Sequence, residues 1–197
     1  MVGGTRVQTA KVRSPLRRNR IAAKPGATEL SHVDRRGRVT MVDVGDKPIT
    51  NREATARGLI TMSRHALTAI RQRAVSKGDP LQAARLAGIM AAKQTSTLIP
   101  LCHPLPLTHI SVDLTATAKG YRIEARVRTS AQTGVEMEAL VAVAAAALTV
   151  YDMVKAIDKA MVIGDVCLVE KRGGRSGVYK RLDRGTRAVK ARPARLT

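Results

Sequence analysis

The stretch from Thr133 to Lys155, TGVEMEALVAVAAAALTVYDMVK, constrains this chain more than any other. Its middle is almost purely Ala, Val and Leu, while its two ends carry charge. Ala and Leu outweigh the valines, so a helix is predicted rather than a strand. Thr133-Gly134 reads as the turn before it. Glu136 and Glu138 then fall in the first turn, where acids suit the positive end of the helix dipole. The fully apolar run, Ala139 to Val150, falls short of the roughly 20 residues that cross a bilayer. The reading is a buried core helix with polar groups at both ends. Asp152 and Lys155 are three apart and share a face at the far end. Glu138 and Asp152 are separated by 14 residues, about 21 Å along the axis at ~1.5 Å per residue. One small ligand does not readily touch both on a single helix. A site using both ends is therefore expected to draw on more than one subunit.

The charge of the chain points elsewhere at first. Of 197 residues, 35 are Lys or Arg and 15 are Asp or Glu, giving +20. Residues 1–28 hold seven basic residues and no acid; residues 178–197 hold seven more against Asp183 alone. The tails thus carry +13 of the +20, and basicity says little about the core. With three Tyr and no Phe or Trp, the chain lacks the aromatic platforms on which bases stack. No specific nucleic-acid partner is expected. The two cysteines, Cys102 and Cys167, lie far apart without metal-ligand spacing, so neither a disulfide framework nor structural zinc is indicated. The expected setting is the reducing cytoplasm. The acid-free, Arg-rich N-terminus would also suit an organellar transit peptide, although it lacks a Ser-rich amphipathic pattern.

Three segments are expected: a basic disordered extension (1–28), a globular domain (29–178) and a basic disordered tail (179–197). Val39 to Val44 alternates loosely and looks strand-like, and Arg52 to Met62 reads as the first full strand. Ser63 is placed to cap a helix reaching about Arg73. After the turn-rich VSKGDP, Asp79 caps a second helix with Pro80 at its first position. Its apolar face is expected to hold Leu81, Ala84, Leu86 or Ala87, Ile89 and Ala92. Three prolines make LIPLCHPLPL (98–107) a rigid loop. Ile110–Thr117 and Tyr121–Thr129 alternate around Ala118-Lys119-Gly120 and form a hairpin; the stretch Met161 to Lys171 gives a last strand, predicted at Val166–Glu170. The order β, α-rich segment, β, β, α, β is that of an α+β, ferredoxin-like antiparallel sheet with helices packed on one face.

Several side chains could carry chemistry. Lys77 sits in a Gly-containing loop just before a helix start, a place that favours anions; the plain alternative is a solvated loop lysine. Prolines fix where the His103 imidazole points, although a satisfied structural histidine has the same look. His109 with Cys102 is too sparse a set to argue for a metal. Glu136 is explained by the helix dipole alone. Asp152 and Lys155 could be an ordinary surface pair, but their place at the end of an apolar helix predicts partial burial, which would tune both towards acid–base work. The loop GGRSG (173–177), with Lys171 and Arg175 at hand, resembles an anion-binding turn but does not fit the P-loop pattern.

Taken together, MVDV (41–44), KGDP (77–80), AGIMAAK (87–93), LIPLCHPLPL (98–107), TGVEMEAL (133–140), YDMVKA (151–156) and GGRSG (173–177) resemble the MoaC family, the cyclic pyranopterin monophosphate synthases. The resemblance runs from about Leu30 to Lys180 with no departure in these motifs; both basic tails lie outside it. It implies a lyase of molybdenum cofactor biosynthesis that converts 3′,8-cyclo-7,8-dihydroguanosine 5′-triphosphate to cyclic pyranopterin monophosphate and pyrophosphate. It also implies a homohexamer, a trimer of dimers, with sites at subunit interfaces and no membrane association. Carried over by motif, the catalytic set is Lys77, His103, Asp152 and Lys155. The substrate-contacting set is Leu101, Cys102, His103, Met137, Glu138, Lys171 and Arg52. No metal site and no required cofactor are implied. Magnesium alongside the triphosphate is compatible with such a substrate, although no carboxylate cluster demands it.

The rival class is a basic RNA-binding protein with the same core topology, which the net charge favours and the missing aromatics disfavour. A chain cut to residues 29–178 separates the two, since an enzyme keeps its turnover and a tail-driven binder loses salt-sensitive affinity. The composition of the tails predicts that they are dispensable for folding. Limited trypsin digestion is expected to leave a stable core near residues 29–178; protection of the sites from Arg17 to Lys24 would contradict this.

Overall fold

The computed structural model describes residues 37–182. Five strands, β1 (Thr50–Thr61), β2 (Leu107–Ala116), β3 (Gly120–Ala131), β4 (Val162–Arg172) and β5 (Tyr179–Lys180), form one antiparallel sheet in the order β2-β3-β1-β4-β5. Four helices, α1 (Arg64–Arg71), α2 (Pro80–Lys93), α3 (Thr95–Leu98) and α4 (Glu136–Val154), complete the fold. The α+β arrangement with helices on an antiparallel sheet is the one read from the sequence. Strand β1 is central and pairs along its whole length with β3, from Thr50 opposite Ala131 to Thr61 opposite Gly120.

Local signals acted where they were expected. The Ser63 side chain accepts from the Ala66 N–H at the start of α1, and Asp79 accepts from Leu81 and Gln82 ahead of Pro80 in α2. Other boundaries moved for tertiary reasons. Val39 to Val44 forms no strand among the described residues beyond an isolated bridge at Val39. Strand β4 fills nearly the whole Met161–Lys171 stretch and not Val166–Glu170 alone, and its pairing with β1 is irregular between Thr55 and Leu59, near where Asp165 takes a left-handed φ of 53°. Bulges break the alternation by which strands are read. Strand β5 pairs Glu170 with Lys180 and begins one residue past the boundary expected at 178. The rest of both tails lies outside the described residues.

The core is built from small side chains. Ala54, Ala56 and Ile60 of β1, and Ile123, Ala125 and Val127 of β3, meet Ala139, Ala142, Val143, Ala146, Ala147 and Val150 of α4. Gly58 lets α4 approach β1: a Cβ there would stand 2.7 Å from Val143 Cγ1. Helix α2 departs from its expected face. Its buried residues are Pro80, Ala84, Gly88 and Ala92, whereas Leu86 is 60% exposed and Met90 51%. The small residues face inward because α2 lies close against α4, and a Cβ on Gly88 would come within 2.9 Å of the Ala142 carbonyl. Large side chains at that seam would separate the helices, so they point away from it.

Among the described residues, α4 is the one helix long and apolar enough to cross a membrane by length and composition, but it packs as a core helix. Only 44% of its most apolar stretch is buried, and Leu148 is 61% exposed. The packing at Gly88 gives a test. Gly88→Val is expected to destabilise the fold by about 1–3 kcal/mol, the usual cost of overpacking. A thermal midpoint within a degree of the parent would contradict the close helix approach.

Candidate active site

Three loops at the ends of α4 bring the candidate residues into two groups. At its C-terminal end, Lys77 from the loop before α2 reaches over to Asp152. The Lys77 Nζ donates to Asp152 Oδ2 at 2.9 Å and to the Asp152 carbonyl at 3.1 Å, while Lys155 Nζ lies 2.7 Å from Asp152 Oδ1. Lys77 and Asp152 therefore meet within one chain. The expectation of partial burial fails: the side chains of Asp152 and Lys155 are both more than half exposed. The pair ends with Asp152 held down to about 2 by the hydrogen bonds from Lys155 and Lys77, and Lys155 pushed up by Asp152. Solvent keeps these groups charged instead of drawing them towards neutrality.

At the N-terminal end, a cavity of about 1100 Å³ opens between the Asp46–Pro48 segment, the start of β1, the turn before α4 and the 174–176 loop. It is lined by Lys47, Arg52, Lys171 and Arg175, against the acids Asp46 and Glu136. Arg52 donates from Nε to the Ala131 carbonyl at 3.3 Å and from Nη2 to the Gln132 carbonyl at 3.0 Å. Two glycines fit the last loop around it. Gly174 (φ 74°) lies against the Arg52 guanidinium, and Gly173 (φ 91°) against the Asn51 carbonyl, at positions where a Cβ would collide. Lys171 bonds Ser176 Oγ and lies 3.8 Å from Glu136 Oε1. The buried Thr50 hydroxyl at the cavity wall has no hydrogen-bond partner among the described residues.

His103 lines a neighbouring, largely apolar cavity of about 350 Å³ with Val44, Ile49 and Pro104; it shares Gln132 and Thr133 with the cationic one. The proline loop is anchored by the Thr129 hydroxyl, which donates to the Pro106 carbonyl at 2.6 Å. Leu101 and Cys102 are half-buried on that loop, and burial, with the charge of Glu138 beside it, raises the Cys102 thiol pKa. Met137 is half-buried in the first turn of α4. Glu138 is 4% exposed, and burial pushes its pKa up to about 7. Its intermediate ionisation lets it either give or take a proton near neutrality.

Glu136, explained by the dipole alone in the sequence, lies across from Lys171 in the cavity. Asp46, Lys47, Thr50 and Gln132 were missed, whereas Ser176 falls in the GGRSG loop already singled out. Their strand partners and loop neighbours bring them together; for Asp46, Lys47 and Thr50 the local signal was the polar DKPITN run, and Gln132 had none.

A cationic cavity thus lies at one end of a buried helix, and a lysine–aspartate–lysine cluster at the other. The chain belongs to the MoaC family, whose profile matches residues 41–174. It is 55% identical over 157 residues to the cyclic pyranopterin monophosphate synthase of Thermomicrobium roseum, covering 79% of this chain and 95% of that protein. It is 53% identical over 156 residues to that of Parvibaculum lavamentivorans, covering 78% and 98%, and 56% identical over 153 residues to that of Dinoroseobacter shibae, covering 77% and 97%.

The raised pKa of Glu138 has a stability consequence. A folded-state value near 7, above the ordinary 4.5, means the folded chain binds the extra proton between those values. Stability from this group is full below about pH 4.5 and falls as pH rises through 7. Glu138→Gln should therefore raise the thermal midpoint at pH 8 relative to the parent, with the gain shrinking at pH 5. Each kcal/mol corresponds to about 2–4 °C for a chain of this size. Equal shifts at both pH values would overturn the assignment.

Proposed function

We propose that this chain is a cyclic pyranopterin monophosphate synthase, acting on 3′,8-cyclo-7,8-dihydroguanosine 5′-triphosphate and releasing pyrophosphate. The observation that carries this is near-full-length likeness to proteins of that name, at 53–56% identity and 95–98% of their lengths. The site chemistry supports it. Lys171, Arg52, Lys47 and Arg175 would meet the triphosphate and stabilise charge as a substrate hydroxyl attacks the α-phosphorus and the bond to the departing pyrophosphate breaks. His103 would meet the base from the adjoining cavity, and Glu138, buried in the first turn of α4, would act beside the Cys102 loop. Lys155, kept protonated by Asp152, would serve as a proton donor, and Lys77 would fix the carboxylate. The groups lining the cationic cavity are mainly ammonium and guanidinium, which fit phosphate directly; of its two carboxylates Glu136 already faces Lys171. A cytoplasmic setting fits a GTP-derived substrate.

The same reading includes a homohexamer, a trimer of dimers. Its support is the ~21 Å between the two ends of α4 and the exposed apolar residues Leu86, Met90 and Leu148 on the helix layer. A complete site would join the cationic cavity of one copy to the Lys77–Asp152–Lys155 cluster of another. Mixing Lys171→Ala with Asp152→Ala chains is then expected to recover about a quarter of parental activity, from randomly paired subunits that restore one intact set. Mixing Lys77→Ala with Asp152→Ala should recover none, because those groups meet on one chain. Failure of the first mixture would overturn the shared site.

Turnover itself is tested at Lys155. If Lys155 exchanges a proton, Lys155→Arg should fold and bind nucleotide yet turn over at least ~100-fold more slowly, because arginine does not release its proton in this range. Asp152→Asn is expected to behave alike. Near-normal turnover of both, across pH 6 to 9 at saturating substrate, would leave the pair as scaffold.

A further inference from the structure

The sheet face turned away from the helices is crossed by arginines. Most have a carboxylate: Arg57 pairs with Glu124 at 3.1 Å, Arg172 with Glu170 at 2.7 Å, and Arg126 and Arg128 share Glu53. Arg122 and Arg181 have none among the described residues. Both open on one cavity of about 570 Å³, also lined by Arg57, Thr117, Asp165 and Cys167. The register explains the convergence. Arg122 of β3 stands opposite Leu59, Arg57 stands opposite Cys167 of β4, and the Arg181 N–H donates to the Val169 carbonyl at 2.8 Å. This cavity shares no residue with the cationic one. Along β1, Arg57 is five residues from Arg52, about 17 Å at ~3.3 Å per residue, and on the opposite face.

We infer that this cavity is a second small-molecule site, for a phosphate monoester carried on a hydroxyl- or amino-bearing body, such as a nucleoside monophosphate. Two unpaired guanidiniums recognise phosphate oxygens through charge-assisted hydrogen bonds. Asp165 argues against bare phosphate: its carboxylate would face the anion, whereas a ligand hydroxyl or amine would donate to it. The volume falls within the ~300–1,000 Å³ of small-molecule pockets.

The test is calorimetric titration of GMP into the full chain, its Lys171→Ala variant, and the double variant Arg122→Gln/Arg181→Gln. Both arginines are exposed, so the double variant is expected to fold and keep its parental turnover. GMP binding at this site should survive Lys171→Ala and weaken at least ~10-fold in the double variant, the effect of losing charge-assisted bonds. Asp165→Asn should weaken GMP and leave inorganic phosphate unchanged. GMP binding unaffected by the double variant, abolished by Lys171→Ala, or absent at millimolar ligand would overturn the inference. So would a change in oligomeric mass in the double variant, measured by light scattering, which would make this face an interface between copies.

Discussion

The close seating of α4 on the sheet is the constraint from which the rest follows. Ala139, Ala142, Ala146 and Ala147 present almost no side chain to the strands, and Gly58 and Gly88 remove even the Cβ at the tightest approaches. Dispersion and apolar burial are then gained by proximity instead of by bulk. The helix axis is fixed by this packing, and both of its ends are fixed with it. One end sets Glu136 in the cationic cavity and buries Glu138 just beyond it; the other presents Asp152 and Lys155 to Lys77.

The two ends use charge in opposite ways. At the C-terminal end, solvent and two ammonium groups keep Asp152 ionised well below the usual carboxylate range. At the N-terminal end, burial without a basic partner lifts Glu138 to about 7. The difference is desolvation: an exposed carboxylate responds to its neighbours, a buried one mainly to the loss of water. A pair of carboxylates on one helix thereby acquires separate protonation behaviour. In the cationic cavity, Arg52 depends on backbone shape, since its guanidinium is held by the Ala131 and Gln132 carbonyls and by the room that Gly174 leaves.

Much of this was legible in the chain. Ser63 and Asp79 announced their helices because a cap is a local hydrogen bond, and the β2–β3 hairpin showed in the alternation Ile110, Val112, Leu114 and Tyr121, Ile123, Ala125. The motif strings supplied the candidate side chains. Less legible were the inward face of α2, where Gly88 was outweighed by Leu86 in any hydrophobic count, and the exact ends of β4, whose bulges at Asp165 and Val169 break its period. The exposure of Asp152 and Lys155 was misread because an apolar helix body says nothing about what covers its last turn.

The sequence by itself determined the main helices α1, α2 and α4, the strands β1 to β4, the caps and the identities of the Lys, His, Asp and Glu groups, because each depends on residues a few positions apart. Only the tertiary structure decided which of them meet. Lys77 reaches Asp152 across 75 positions. Arg52 is pinned by carbonyls 79 and 80 positions away. Glu136 turns to Lys171 across the join between α4 and β4. Such contacts follow from strand order and helix seating, and their energies come from neighbours brought close by the whole core.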